Sequence, residues 1–380
     1  KLGYAYGRLT SIMDTSDSPG VTLWSANKMD ARGQYTQETF GNGVVVDHAF
    51  DPYRGLLQSI TAGPGGGTAL QNSSYLYDPV GNLTQRQDNN AGTTESVYYD
   101  SLNRLSYTVG DTNTKMSYDS MGRIASWQAS ASTTNVNNFT TAQSGCTYYA
   151  NAQPHAVRES TQGASSTSYC YDANGDMTTQ NYAGAVQRTF AWMSFNQPGA
   201  ITAATTPSSY SDFYYDENHQ RYEQIASYSG AAEVTEYIGG LMEKMTNSTG
   251  TAYRYYIPAG NNFIVYNRWL SGTNAIDYAT KDPIGSTAVI TDSKGALAVA
   301  EKFAALGWNE DTTAQQTTMA GITRHEFTGQ EGLDNYGLWM VDMNGRVYQP
   351  SGGYFYSPDP NIPDPQNTLD YDRYTYVDDN

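Results

Sequence analysis

Apolar and aromatic residues in this chain come in short runs, cut at intervals by one piece of polar punctuation. It is a Tyr-Asp pair followed, three residues after the Asp, by Gly or Asn. Four copies keep the pattern: Tyr77-Asp78-Pro79-Val80-Gly81, Tyr99-Asp100-Ser101-Leu102-Asn103, Tyr118-Asp119-Ser120-Met121-Gly122 and Tyr171-Asp172-Ala173-Asn174-Gly175. A fifth, Tyr215-Asp216-Glu217-Asn218-His219, keeps the Tyr-Asp and lacks the Gly. The Asp side chain caps a tight turn, and Gly or Asn accepts the left-handed backbone that ends it. The flanking aromatic and apolar residues then form the two strands of a hairpin. Self-similarity of this kind predicts a fold built by repetition.

With degenerate copies at Tyr148-Tyr149-Ala150-Asn151 and Phe195-Asn196-Gln197-Pro198-Gly199, the markers are spaced mostly by 19 to 24 residues. An earlier copy, Phe50-Asp51-Pro52-Tyr53-Arg54-Gly55-Leu56, extends the series toward the N-terminus. That spacing holds two strands and two turns, one turn carrying the signature and the other variable. Low-complexity stretches at 63–67, 130–138 and 163–168 read as flexible loops in the variable turns. Residues 296–306 have helix propensity, but the turn signals on either side favour a strand. After about residue 270 the motifs change: Lys281-Asp282-Pro283-Ile284-Gly285-Ser286, a turn at Asp292-Ser293-Lys294-Gly295, and several later ones read as unrepeated. The expected fold is all-β, repeated antiparallel hairpins in a large curled sheet, with residues 1–270 as the repeat segment and 271–380 as a distinct C-terminal part.

Composition strengthens the β reading. There are 33 Tyr and 36 Gly, and only 16% of residues are charged. Tyr favours pleated surfaces and Gly favours turns. A hydrophobic fraction of 38% suits a wide sheet with one wet face, and no long amphipathic helix is visible. The net charge of −17 repels phosphate backbones, so nucleic-acid and anionic-membrane binding are not expected. No apolar run approaches the ~20 residues of a membrane span, and no signal peptide is evident. The chain opens on Lys1, not Met, and reads as a piece of a longer protein.

Candidate chemistry is sparse. His48, His155, His219 and His325 are scattered without metal-like spacing, and no Gly-rich segment continues into a phosphate-binding loop. Neither a metal nor a cofactor is expected. Cys146 and Cys170 are expected as two buried or half-buried thiols, ahead of a disulfide.

The Tyr-Asp copies resemble YD repeats, and the C-terminal third resembles the end of the core of Rhs proteins. That core reads D-x-L-G-S, F-T-G-x-E, G-L-x-x-M-x-x-R-x-Y-D-P-x-x-G-R-F, S-x-D-P and Y-x-Y-V. This chain supplies Asp282 to Ser286, Phe327 to Glu331, Gly337 to Met343, Arg346, Tyr348, Pro350, Gly353, Phe355, Ser357, Asp359-Pro360 and Tyr374 to Val377, in that order. The resemblance implies a wall segment of a hollow shell from a secreted bacterial protein. Such a shell encloses a C-terminal toxin or effector domain of the parent chain, and a delivery or shell-closing protein is a possible further partner.

The resemblance also implies an aspartyl self-cleavage in the parent, with Asp359 and Arg346 as the matching catalytic residues. A second Asp, in a downstream D-P-x-G motif, has no counterpart here, and Asp364 is the nearest substitute. Paired carboxylates matter because two close acids cannot both ionise, so one holds a proton while the other acts as base. The chain departs from the family at Gln349, Tyr354 and Pro283. The plainer reading of Asp359 is a turn cap before Pro, and of Arg346 a structural ion pair. As it stands the chain is not expected to be an enzyme. A different class stays open: an extracellular carbohydrate-binding or adhesion module reading sugars through its Tyr-rich surface.

Overall fold

The structure is a computed structural model. It describes residues 1–16, 19–129, 133–141, 146, 154–204, 208–228, 230–270, 272–333 and 336–377. The Tyr148–Asn151 copy of the repeat lies outside them. Among the described residues twenty-seven strands, from Leu2–Ala5 to Leu297–Ala300, form one sheet in which each pairs antiparallel with the next. The change of motif near residue 270 falls inside this sheet, which continues to Ala300.

The turn predicted from the Tyr-Asp copies is present in atomic detail. Asp78 Oδ1 accepts from the amides of Val80, Gly81 and Asn82 at 2.8 to 3.0 Å, while Asp78 N donates to Asn82 O. Gly81 sits at φ 105, where a Cβ would strain the backbone. The same bonds recur at Asp100, Asp119, Asp172 and Asp216, with His219 taking the left-handed position (φ 60) in the copy that lacks Gly.

They also recur where sequence reading found no repeat. Asp30, Asp282 and Asp292 each accept from the amides two and four residues on, and Gly33, Gly285 and Gly295 complete the turns at positive φ. The motifs at 282 and 292 are therefore further copies without the Tyr. Alternate turns of a meander lie on alternate rims; the Asp30, Asp78, Asp100, Asp119, Asp172, Asp216 and Asp282 turns share one rim, and Asp292 lies on the other.

The aromatic before the Asp has its own task. Tyr99 Oη donates to Leu83 O (2.9 Å), Tyr118 Oη to Leu105 O (2.8 Å) and Tyr215 Oη to Pro198 O (2.8 Å). Trp192 does the same through Nε1 to Met177 O (2.6 Å). In each case the acceptor lies five positions after the capping residue of the preceding turn. Each repeat is thus bonded to the one before it by a hydroxyl or indole N–H that would otherwise be half-buried without a partner.

Two loop expectations fail. Ser165–Tyr171 is a strand paired with Glu159–Gln162, and Asn135–Asn138 is a strand that pairs with the same segment. Polar composition suggested loops, but backbone ladders on both sides satisfy these segments whatever their side chains. Of the strand expected over 296–306, only Leu297–Ala300 forms, and the chain then leaves the sheet. The cysteines are also corrected: Cys146 and Cys170 form a disulfide, because the fold sets their Cα atoms 5.3 Å apart, within bonding reach.

The sheet curls until its early and late strands meet. Trp24, Phe40, Val46 and Ile60 share a core with Ile264 and Tyr278. Glu38, fully buried, accepts from Trp24 Nε1, Asn261 N and Asn262 Nδ2 across that seam. Gly260 (φ 63) is required there, since a side chain would meet the Glu38 carboxylate.

Residues 301–377 fill the concave side with a helix, Thr313–Ile322, and four short strands within 331–355. The helix was not anticipated, although Thr312 and Gln315 form a capping box at its start. Leu333, Leu338, Met340, Val347 and Tyr356 pack there against Met177, Ile201 and Phe213 of the sheet.

Candidate functional site

Arg346 follows the turn begun by Asp342, whose Oδ1 accepts from Asn344 N at 2.9 Å. Asp359 follows strand Tyr354–Phe355. The fold brings the two together: Arg346 Nη2 lies 2.8 Å from Asp359 Oδ2. The other oxygen, Oδ1, accepts from Asn361 N at 2.9 Å. Asp359 therefore caps a turn with one oxygen and holds an arginine with the other, so both sequence readings of the residue describe real contacts.

The Arg346 guanidinium lies 3.7 Å over the Phe355 ring, and Nη1 donates to Arg373 O at 3.1 Å. Burial lowers its pKa, and the Asp359 carboxylate opposes that. A groove of about 580 Å³ opens beside it, lined by Asn196, Gln330, Arg346, Pro358, Pro360 and Tyr376 among others.

Asp364 does not join the pair. Its Oδ1 accepts from Gln366 N at 2.9 Å, and its own amide donates to Asp370 Oδ2. Gln349, where the family pattern has Asp, receives the Tyr356 hydroxyl and donates to Ser351 Oγ at 2.6 Å. Tyr354, at the Arg of G-R-F, is buried and meets Tyr169 edge-on with centroids 6.3 Å apart. Among the described residues no three His, Cys, Asp or Glu side chains gather as metal ligands. Among the described residues, the Asp359 carboxylate and the Arg346 guanidinium meet here beside an open groove.

A second polar cluster, missed in the sequence, ties the C-terminal part to the sheet. Arg221 pairs with both Glu331 and Asp342, and Arg324 pairs with Glu233 and donates to Thr235 Oγ1 at 3.2 Å. Tyr237 Oη donates to Glu331 Oε1 at 2.9 Å. Burial alone would lower the Arg221 pKa, but Glu331, Tyr237 and Asp342 hold it well above the ordinary value. Burial likewise works against ionised Glu331, and Arg221 and Arg324 outweigh it, so its pKa falls. The partners are up to 121 residues apart, which is why no local pattern announces them.

Residues 54–228 match the family described as the teneurin YD-shell. Over 87% of its length the chain is 24% identical to a toxin subunit, YenC1, of Yersinia entomophaga, of which it covers 39%. It is 23% identical to the tRNA3(Ser)-specific nuclease WapA of Bacillus spizizenii, matching over 96% of its own length and 15% of that protein. Among solved structures, that of TcdB2-TccC3 superimposes over the whole chain with a TM-score of 0.72 at 18% identity. The chain spans 20% of that structure and well under half of either curated relative. A repeat turn seen eight times, the ordered C-terminal motifs and these matches agree: the chain is similar to the Rhs/YD-repeat family, and residues 54–228 match its YD-shell.

Proposed function

We propose that this chain is part of the wall of a hollow shell that encloses a C-terminal toxin or effector domain of its parent. The observation that carries the reading is the curled 27-strand meander, whose inner side is occupied by residues of its own chain. A sheet that curls back on itself also hides strand faces that would otherwise aggregate. The toxin-subunit and nuclease relatives are consistent with a toxic cargo, and with a secreted bacterial parent. In this reading residues 1–270 are wall, and 271–380 close the sheet and carry the cleavage residues.

The parent cuts its own chain with Asp359 and Arg346 and a second carboxyl supplied from beyond them. Water adds to the peptide carbonyl as one carboxylate takes its proton. The other carboxyl protonates the leaving amine as the C–N bond breaks. Among the described residues, Asp364 does not supply that second group, since it is turned to Gln366 and Asp370.

Expressing the parent beyond Asn380 tests both parts. Its C-terminal domain should resist protease until the wall is unfolded, and Asp359→Asn should abolish the released fragment. Digestion at the rate of the free domain would remove the enclosure reading, and continued release would remove Asp359. The adhesion reading keeps one specific observation, an exposed Tyr98–Tyr107 stack with centroids 4.3 Å apart. Loss of glycan binding in Tyr98→Ala would favour it.

A further inference from the structure

The line where the curled sheet meets itself is closed differently from the rest of the wall. Neighbouring strands of the wall are joined by backbone ladders. Across the seam, among the described residues, the bonds run through side chains. Asn42 Nδ2 donates to Thr291 Oγ1 at 2.9 Å and to Asp292 O at 2.7 Å, and Thr280 Oγ1 donates to Gln71 Oε1 at 2.7 Å. Asn261 N and Asn262 Nδ2 each donate to Glu38 at 3.1 Å, and Asn261 Nδ2 donates to Tyr35 O at 3.0 Å.

Glu38 is the buried centre of this set, and it has a companion. His48 is 6% exposed, and its Nδ1 has no hydrogen-bond partner and lies 3.6 Å from Glu38 Oε2. On neighbouring strands Glu38 stands opposite Val46 and His48 opposite Ile60, both fully buried in the seam core. An acid and a base buried there cannot each take the charge that water would give them. One proton between them serves both. On Oε2 it has the Nδ1 lone pair before it, while Trp24 Nε1, Asn261 N and Asn262 Nδ2 keep their acceptors.

We propose that Glu38 and His48 are a proton latch for the seam: closed, the pair holds one proton, and the seam loosens where the opened pair would hold none. The latch belongs to the wall itself and needs neither cargo nor cleavage.

Burial pushes Glu38 from 4.5 up to about 8 and His48 from 6.5 down to about 4. Glu38 therefore favours closure fully below pH 4.5 and loses that contribution as pH rises to about 8. His48 contributes fully above pH 6.5 and loses its part as pH falls to about 4. The two trends offset each other between pH 4.5 and 6.5, where closure is tightest. Above that window only the Glu38 loss remains. Of the other ionisable groups nearby, Asp47 favours the imidazolium by its charge and accepts from Gln37 Nε2. Burial raises Tyr35, and pushes Tyr278 up to about 12, so both stay neutral over this range. Arg8 is turned to Gly33 O, and the Lys281 ammonium lies over the Phe263 ring.

The test follows amide exchange in the whole chain from pH 4 to 8.5, each rate referred to its intrinsic value. Protection of the Asn261 amide should stay level up to about pH 6.5, then fall about tenfold per unit to about pH 8, roughly 30-fold in all. The Asp119 hairpin should keep its protection. Glu38→Gln should abolish the fall, and His48→Phe should move its onset from about pH 6.5 to about pH 4.5. Asn42→Ala cuts a tie without touching the pair, and should lower protection by one factor at every pH. Level protection in the unaltered chain, an unchanged fall in Glu38→Gln, or an unmoved onset in His48→Phe would each overturn the latch. The two substitutions act on opposite partners, so either decides if the other does not fold. An equal fall in the Asp119 hairpin would also overturn it, because the whole fold and not the seam would then be opening.

Discussion

The sheet and the segment that fills it are held together by opposite strategies. In the sheet, each turn is closed by bonds that span four residues, and each repeat is linked to its neighbour by one aromatic side chain. In residues 301–377 the decisive contacts reach across 66 to 199 positions, from Arg254 to the helix carbonyl of Ala320 and from Tyr374 to Gly175. The first arrangement is redundant, since losing one copy leaves the rest. The second exists once, so each member is indispensable to the seating of the segment.

That contrast can be broken experimentally, beginning where the effect is largest. Arg221→Met leaves Glu331 and Asp342 facing each other in a buried site without their shared cation. It should cost about 3–5 kcal/mol in urea unfolding and free residues 301–377 for proteolysis. A cost near that of a single turn would erase the distinction between the regions.

Asp176→Asn should act in the other direction, and only above acidic pH. Burial raises the Asp176 pKa from 3.8 to about 7, with Asp172 adding and Arg373 opposing. Below about pH 3 folded and unfolded chains are both protonated and nothing is lost. As pH rises to 7 the unfolded chain ionises first, so stability falls, and the substitution should recover roughly 4 kcal/mol at pH 8 and almost none at pH 3. Equal melting shifts at pH 3 and pH 8 would show that Asp176 is not held neutral.

Within the sheet the effects should be smaller and alike. Asp119→Ala removes the acceptor for the Met121 and Arg123 amides, and should cost about 1–2 kcal/mol, seen as faster exchange confined to that hairpin. Asp292→Ala should match it although no Tyr precedes Asp292. Smallest is Tyr118→Phe, which removes the bond to Leu105 O and should lower stability by about 1 kcal/mol. A loss several times larger would mean that the ring, with Arg104 lying 3.8 Å above it, carries more than the hydroxyl.

What could be read from the sequence follows the same division. The Asp turn was legible because its donors, acceptor and left-handed residue all lie within five positions. Asp30, Asp282 and Asp292 do not stand out as repeats because no Tyr precedes them, and the Tyr serves the link between repeats while the Asp alone closes the turn. Asp359 and Arg346 were legible only through family resemblance, and nothing local marked Arg373 or Asp176, whose surroundings are assembled by the curl. The disulfide is a similar case: a separation of 24 residues carries no information until Cys146 is laid against Ser165–Tyr171.

The link from each aromatic to the carbonyl five places after the previous cap has a consequence for how such a chain can change length. Donor and acceptor both sit at the Asp-turn rim, so nothing about the link depends on how many residues lie in the hairpin ends of the opposite rim. Insertions there leave the wall in phase. Excising one whole repeat presents the next aromatic with an equivalent carbonyl, whereas excising half a repeat turns every later strand end for end and strands each donor on the wrong rim. The wall therefore counts in whole units, and its circumference can be revised only by integers.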